Sequence, residues 1–142
     1  MLEKLHSQVS FDGAWIDMNE PSNFYSGTRK GCPKNALNYP PYVPNVLGGQ
    51  LFSKTLCPSA KHFRGVHYDL HNMYGISEAI ITSFALVEIR NGKRPVTISR
   101  ATFPGHGHYA AHWTGDVFST WNDMKLSVAR RFQNGHLFNV FF

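Results

Sequence analysis

An α/β fold with parallel strands, of the (β/α)₈ barrel kind, is predicted by three observations on this sequence. Three short, largely apolar runs each finish on an ionisable residue, at Asp17, Arg100 and Asp116. The first carries no polar alternation, as expected of a strand in a parallel sheet. A stretch with apolar positions at helical spacing separates the first run from the second. Ionisable groups gathered at the carboxyl ends of successive parallel strands are the arrangement of such a barrel's active face.

Each element has its own warrant. Gly13 to Asp17 reads as a strand, stopped by Glu20-Pro21. The Pro and Gly density from Ser22 to about Pro58 makes that stretch a loop. From about Asp69, the positions Leu70, Met73, Ser77, Ile80, Phe84 and Val87 predict a helix on one apolar face. Asn91-Gly92 supplies its left-handed stop. Pro95 to Ser99 is a second strand, delivering Arg100 at its end, and Tyr109 to Gly115 is a third, less regular one. Ser119 or Thr120 can cap a last helix with Trp121, Met124, Val128 and Phe132 on one face and Gly135 after it. No internal repeat or domain boundary is visible, so residues 1–142 read as part of one domain.

Composition bounds the function only loosely. The chain has 142 residues, 42% of them hydrophobic, the apolar content of a globular domain. Fourteen basic against nine acidic residues give a net charge of +5. The positives are scattered, with only pairs such as Arg29-Lys30 and Arg130-Arg131, so a solvated surface is expected rather than a nucleic-acid footprint. No apolar run is long enough to span a bilayer, and the first residues lack the apolar core of a signal peptide. Cys32 and Cys57 bracket the Pro- and Gly-rich loop; the residues alone leave a bridge and two free thiols both open.

The chemistry is written around the acidic strand ends. Trp15-Ile16-Asp17-Met18-Asn19-Glu20-Pro21 and Tyr109-Ala110-Ala111-His112-Trp113-Thr114-Gly115-Asp116 each deliver one Asp beside a Trp. Two such carboxyls suit glycosidic bond cleavage, one as nucleophile or base and one kept protonated as acid. Taken singly, Asp17 could cap the following turn, and Thr114-Gly115-Asp116 could be an ordinary turn. Arg100 can bind sugar hydroxyls, steady a carboxylate through its planar fork, or make a plain salt bridge. His106, His108 and His112 form a spacing that, alone, also suits a metal hydrolase.

The stretch from Phe11 to Phe24, with Trp15-Ile16-Asp17-Met18-Asn19-Glu20-Pro21 at its centre, resembles the nucleophile signature of the retaining α-glucosidases of glycoside hydrolase family 31. Ile98-Ser99-Arg100-Ala101-Thr102-Phe103-Pro104-Gly105-His106-Gly107-His108-Tyr109, with His112-Trp113-Thr114-Gly115-Asp116, resembles that family's acid/base region. Gly31-Cys32-Pro33, Pro40-Pro41-Tyr42-Val43-Pro44 and His71-Asn72-Met73-Tyr74-Gly75 are similar to the branch of the lysosomal acid α-glucosidases and maltase-glucoamylases. The likeness runs from about Leu5 to about Val128. It implies barrel strands four to six of eight, a partial (β/α)₈ TIM barrel. It also implies Asp17 as nucleophile, Asp116 as acid/base, and Met18, Arg100 and Trp113 as substrate-binding residues. Glu20 is a possible supporting carboxylate, or a structural one. Cys32 and Cys57 match a disulfide pair of the branch. The family is independent of metals and cofactors, so none is expected.

The reading is therefore a piece of a retaining exo-α-glucosidase, releasing terminal α-linked glucose from oligosaccharides or glycogen- and starch-like polymers. Its parent would belong to the secretory pathway, lysosomal or extracellular. Residues 129–142 depart from the family, and barrel segments needed for closure are expected to be missing. The isolated chain is accordingly expected to be inactive. The alternative is a non-catalytic fragment that binds a partner or, weakly, a sugar. If the arc holds, Asp17 and Asp116 should lie roughly 5–5.5 Å apart across one cleft, with Arg100 pointing into it.

Overall fold

The computed structural model describes residues 1–133, with side chains through Val128. In chain order the elements are α1 (Leu2–His6), β1 (Gly13–Ile16), β2 (Lys61–His62), β3 (Gly65–Val66), α2 (His67–Leu70), α3 (Tyr74–Ile89), β4 (Val96–Ser99), β5 (Ala111–His112) and α4 (Trp121–Gln133). Single 3-10 turns stand at His71–Met73 and His106–His108. The chain makes two compact units, one from Met1–Asn19 with Gly75 onward, the other from Glu20–Tyr74.

The first unit holds a three-stranded sheet in the order β1-β4-β5, parallel throughout. Trp15 stands opposite Ile98, and Ile98 opposite Ala111. Side chains on directly opposed residues share a face, because the pleat alternates with period two. One face therefore carries Ile16, Ser99 and His112, and on it Thr97, Ser99 and His112 are buried. The other carries Trp15 and Ile98, and Trp15 is 63% exposed. The first strand was expected to be buried on both faces. It is covered on one only, because the Trp15 face walls a wide groove beside α4.

The helix α3 begins at Tyr74 rather than near Asp69, and residues 67–73 form separate turns in the second unit. It buries Gly75, Ile76, Ala79, Thr82 and Leu86. The expected face differs: Ser77 is exposed and Phe84 is too. Both sides of this helix are apolar, so periodicity could not choose between them; close packing chose the side with the small residues. A Cβ at Gly75 would run into Ala101 and come within 2.6 Å of the Asn19 carbonyl oxygen. Asn91 and Gly92, at φ 55° and 82°, end the helix with Gly92 N–H donating to the Val87 carbonyl at 2.9 Å. That is the expected left-handed stop.

Thr120 caps α4: its hydroxyl accepts from Asp123 N–H at 3.1 Å and donates to the Asp123 carboxylate at 2.6 Å. The side chain of Phe132, the Gly135 stop and the apolar end at 137–142 lie outside the described residues, as does most of the divergent stretch 129–142.

The second unit is mostly turns, as the Pro and Gly density predicts, with one short antiparallel pair, β2 and β3. Cys32 and Cys57 are bridged, their Cα atoms 5.6 Å apart. With Phe52 they form a small buried cluster, and Tyr39 meets Phe52 edge-on at 5.4 Å. Asn38, buried, donates to the Pro33 carbonyl and the Ser59 hydroxyl and accepts from Ser59 N–H. Side-chain hydrogen bonds thus satisfy backbone that no sheet or helix pairs.

Candidate active site

Asp17 follows the last residue of β1, and Arg100 the last residue of β4, so the parallel register brings their backbones side by side. Arg100 Nη1 lies 3.4 Å from Asp17 Oδ1, with both side chains partly exposed. The same oxygen accepts from Met18 N–H at 2.7 Å. Met18 has φ 56°, the left-handed region that a non-glycine residue enters only when its surroundings hold it there.

Asp116 does not end a strand as expected: β5 stops at His112, and Asp116 follows four residues later at a bend. Gly115, at φ 80°, precedes it, and a Cβ there would meet Arg100 Cδ at 2.9 Å. The guanidinium stem therefore lies directly against the turn that presents Asp116, and Arg100 touches both motifs. Asp116 also lines a groove of about 1090 Å³ with Trp15, Ile98, Trp113, Trp121 and Met124. Trp15 and Trp113 pack edge to face at 5.2 Å. Trp113 is buried, whereas Trp121 is 84% exposed. An acidic group on an aromatic wall is a setting in which a sugar ring can stack while a polar group meets its oxygens.

Of the expected site residues, Asp17, Met18 and Arg100 are brought together at the strand ends, and Asp116 and Trp113 share the groove. Glu20 belongs to the second unit, where its charge raises the pKa of His71 against a larger lowering by burial. His106 and His112 are buried, but His108 is exposed against Tyr109, and His112 Nδ1–H donates to the Ser99 carbonyl at 3.3 Å. Among the described residues, no group of three or more His, Cys, Asp or Glu is placed to hold a metal ion.

Two contributors escaped the reading of the motifs. In the sequence Trp15 stands out only as a neighbour of Asp17; strand alternation, which sets i and i+2 on one face, is the signal that places it on the groove wall. Asn19 was seen only as part of the motif. It is 2% exposed and donates to Ser99 Oγ at 2.8 Å while accepting from Ala101 N–H at 2.9 Å. No local pattern foretells bonds to residues so far along the chain.

The whole chain, residues 1–142, matches the model of the glycosyl hydrolases family 31 TIM-barrel domain. It is 58% identical to the lysosomal alpha-glucosidase of Rattus norvegicus over 128 residues, 90% of this chain and 13% of that protein. It is 45% identical to the intestinal sucrase-isomaltase of Oryctolagus cuniculus, over 92% of this chain and 7% of the relative. A Flavobacterium johnsoniae GH31 dextranase complexed with glucose shares the fold at a TM-score of 0.52 and 21% identity, over 81% of this chain and 12% of that one. The chain thus spans a small part of the relatives it matches. Its parallel sheet, strand-end residues and full-length match agree: the chain belongs to glycosyl hydrolase family 31, and its sheet is part of that family's TIM barrel.

Proposed function

We propose that this chain carries the reacting carboxyls of a retaining exo-α-glucosidase that acts on terminal α-linked glucose in oligosaccharides or glycogen- and starch-like polymers. The observation that carries the reading is Arg100, which pairs with Asp17 while its stem supports the turn of Asp116. In the first step the Asp17 carboxylate attacks the anomeric carbon as the glycosidic C–O bond breaks. Asp116 gives its proton to the departing oxygen, leaving a glucosyl ester on Asp17. In the second step Asp116 takes a proton from water, whose oxygen attacks the anomeric carbon and releases Asp17. Two inversions return the original configuration. The reading expects the two carboxyls roughly 5–5.5 Å apart in the working site.

Met18, Arg100 and Trp113 are the substrate-binding residues in this reading, with Trp15 added to the wall. Glu20, whose charge acts on His71, is a supporting carboxylate in this reading, structural rather than reacting. The bridged cysteines, together with relatives named lysosomal and intestinal, support an oxidising secretory or lysosomal setting. Among the described residues, no helix is long and apolar enough to cross a membrane.

The test is hydrolysis of a fluorogenic α-glucoside by the full-length parent protein and by its Asp17→Ala variant, the isolated chain being expected to be inactive. Turnover that falls on the order of 10⁵-fold in the variant supports the assignment; turnover kept in the variant refutes it. A second reading, sugar binding without catalysis, is favoured by the open, aromatic groove. It expects oligosaccharide binding that survives Asp17→Ala and weakens in Trp15→Ala.

A further inference from the structure

The ion pair at the two strand ends has a buried support. Asn19, two residues after Asp17, and Ser99, one before Arg100, are 2% and 0% exposed. Asn19 Nδ2 donates to Ser99 Oγ at 2.8 Å, and Ser99 Oγ donates onward to the Ala101 carbonyl at 2.9 Å. Ala101 N–H donates to Asn19 Oδ1 at 2.9 Å, so one amide ties both the residue before and the residue after Arg100. Burial raises the pKa of half-buried Glu78 on α3, and the neighbouring Asn19 side chain partly offsets that rise. Both ends of the amide are thus engaged, and both sides of Arg100 are held to the chain just past Asp17. Behind them Gly75 leaves room for the Asn19 carbonyl, where any Cβ would collide.

We propose that Asn19 is the positioning residue of this site, setting Arg100 against Asp17 through the Ser99–Ala101 clamp. The proposal rests on the functional reading above and deepens it. The energetic logic is one of unsatisfied partners. Asn19→Asp keeps an oxygen for Ala101 N–H but removes the donor for Ser99 and sets a second carboxyl group beside Glu78. A buried network that loses one member leaves the others unpaired, so the strand ends must shift to find water or new partners. Shifts of about 1 Å away from the productive geometry can cost on the order of 100-fold in rate. Asn19 touches no substrate in this scheme; it acts through Arg100 and Asp17.

The test uses the whole chain as wild type, Asn19→Asp, Ser99→Ala and, for assignment, Arg100→Lys. The first measurement is the arginine side-chain NMR spectrum, in which a guanidinium held by a carboxylate rotates slowly and shows separate Nη signals. The second is hydrolysis of a fluorogenic α-glucoside by the same variants of the full-length parent protein. Wild type should show resolved Arg100 signals, and Asn19→Asp should lose them while keeping a folded circular dichroism spectrum. Its kcat should fall about 10- to 100-fold with KM within threefold. Ser99→Ala should move both readouts the same way by less, and it decides the matter if Asn19→Asp does not fold. Resolved Arg100 signals that persist in a folded variant overturn the proposal, as does their absence from wild type. A full-length wild type that turns over no α-glucoside removes the functional reading and leaves the clamp to the NMR result.

Discussion

The two units of this chain hold their shape by different means. In the first, backbone ladders between β1, β4 and β5 fix the strand ends, and a buried amide network locks them. In the second, a covalent bridge, side-chain hydrogen bonds and a row of imidazoles hold an irregular chain. His62 Nε2 lies 3.0 Å from His67 Nδ1, and His67 Nε2 lies 2.8 Å from His71 Nδ1. The contrast teaches where precision comes from. Strand register places reacting groups without any crosslink, whereas turns without a ladder need explicit ties, each of which can be cut separately.

Cutting the bridge should have the largest effect. The chain-entropy model assigns about 3 to 4 kcal/mol to a loop of this length, so Cys57→Ser should destabilise the second unit by that order. Hydrogen exchange would show it: amide protection should fall across residues 20–74 and persist in β1 and β4. Equal loss in both units would break the comparison.

Gly27→Ala comes next. Gly27 stands at φ 69°, and a Cβ there would collide with Cys32 Sγ and lie 3.0 Å from Cys57 Sγ. The left-handed backbone alone costs about 1–2 kcal/mol, and the collision adds to it. Thermal unfolding of the second unit should shift down, by more than for Gly31→Ala, where φ is 79° but no atom lies within 4 Å.

Acidification should then separate the units in sign. His67, 1% exposed, has its pKa lowered from 6.5 to about 4, by burial first and then by His71 and His62. The unfolded chain therefore binds more protons than the folded one between about pH 6.5 and 4, and the His67 contribution is lost as pH falls through that window. The loss is on the order of 2 kcal/mol, and burial lowers His71 in the same direction. Glu78 in the first unit is raised by burial, so its folded form binds more protons, and acid relieves its cost. Exchange measured at several pH values should show protection of the second unit falling over that range while α3 holds or gains. A fall in α3 alone would reverse the assignment.

The smallest effect belongs to the surface. Arg90 pairs with Asp12 by two hydrogen bonds, but the Asp12 side chain is 89% exposed. Solvent screening limits such a pair to below about 1 kcal/mol, so Asp12→Ala should barely move the melting temperature. Arg90→Ala should cost more, since Arg90 also donates to the Lys93 and Arg94 carbonyls.

Much of this was written locally. Asp17 and Arg100 stand at strand ends because short apolar runs stop there, and Asn91-Gly92 ends α3 because only left-handed backbone turns the chain at that point. Thr120 caps α4 for an equally local reason, a hydroxyl within reach of Asp123 N–H. Tertiary structure decided the rest. It chose the Gly75, Ile76, Ala79, Thr82 and Leu86 side of a helix apolar on both sides, because small residues admit close backbone contact. It split the expected start of that helix into turns of the second unit, and left Trp15 open on a groove. It also tied Asn19 to Ser99 and Ala101. Local sequence determines where a strand ends and what charge it carries; which distant amide holds that end depends on register between strands, and register exists only once the chain has folded.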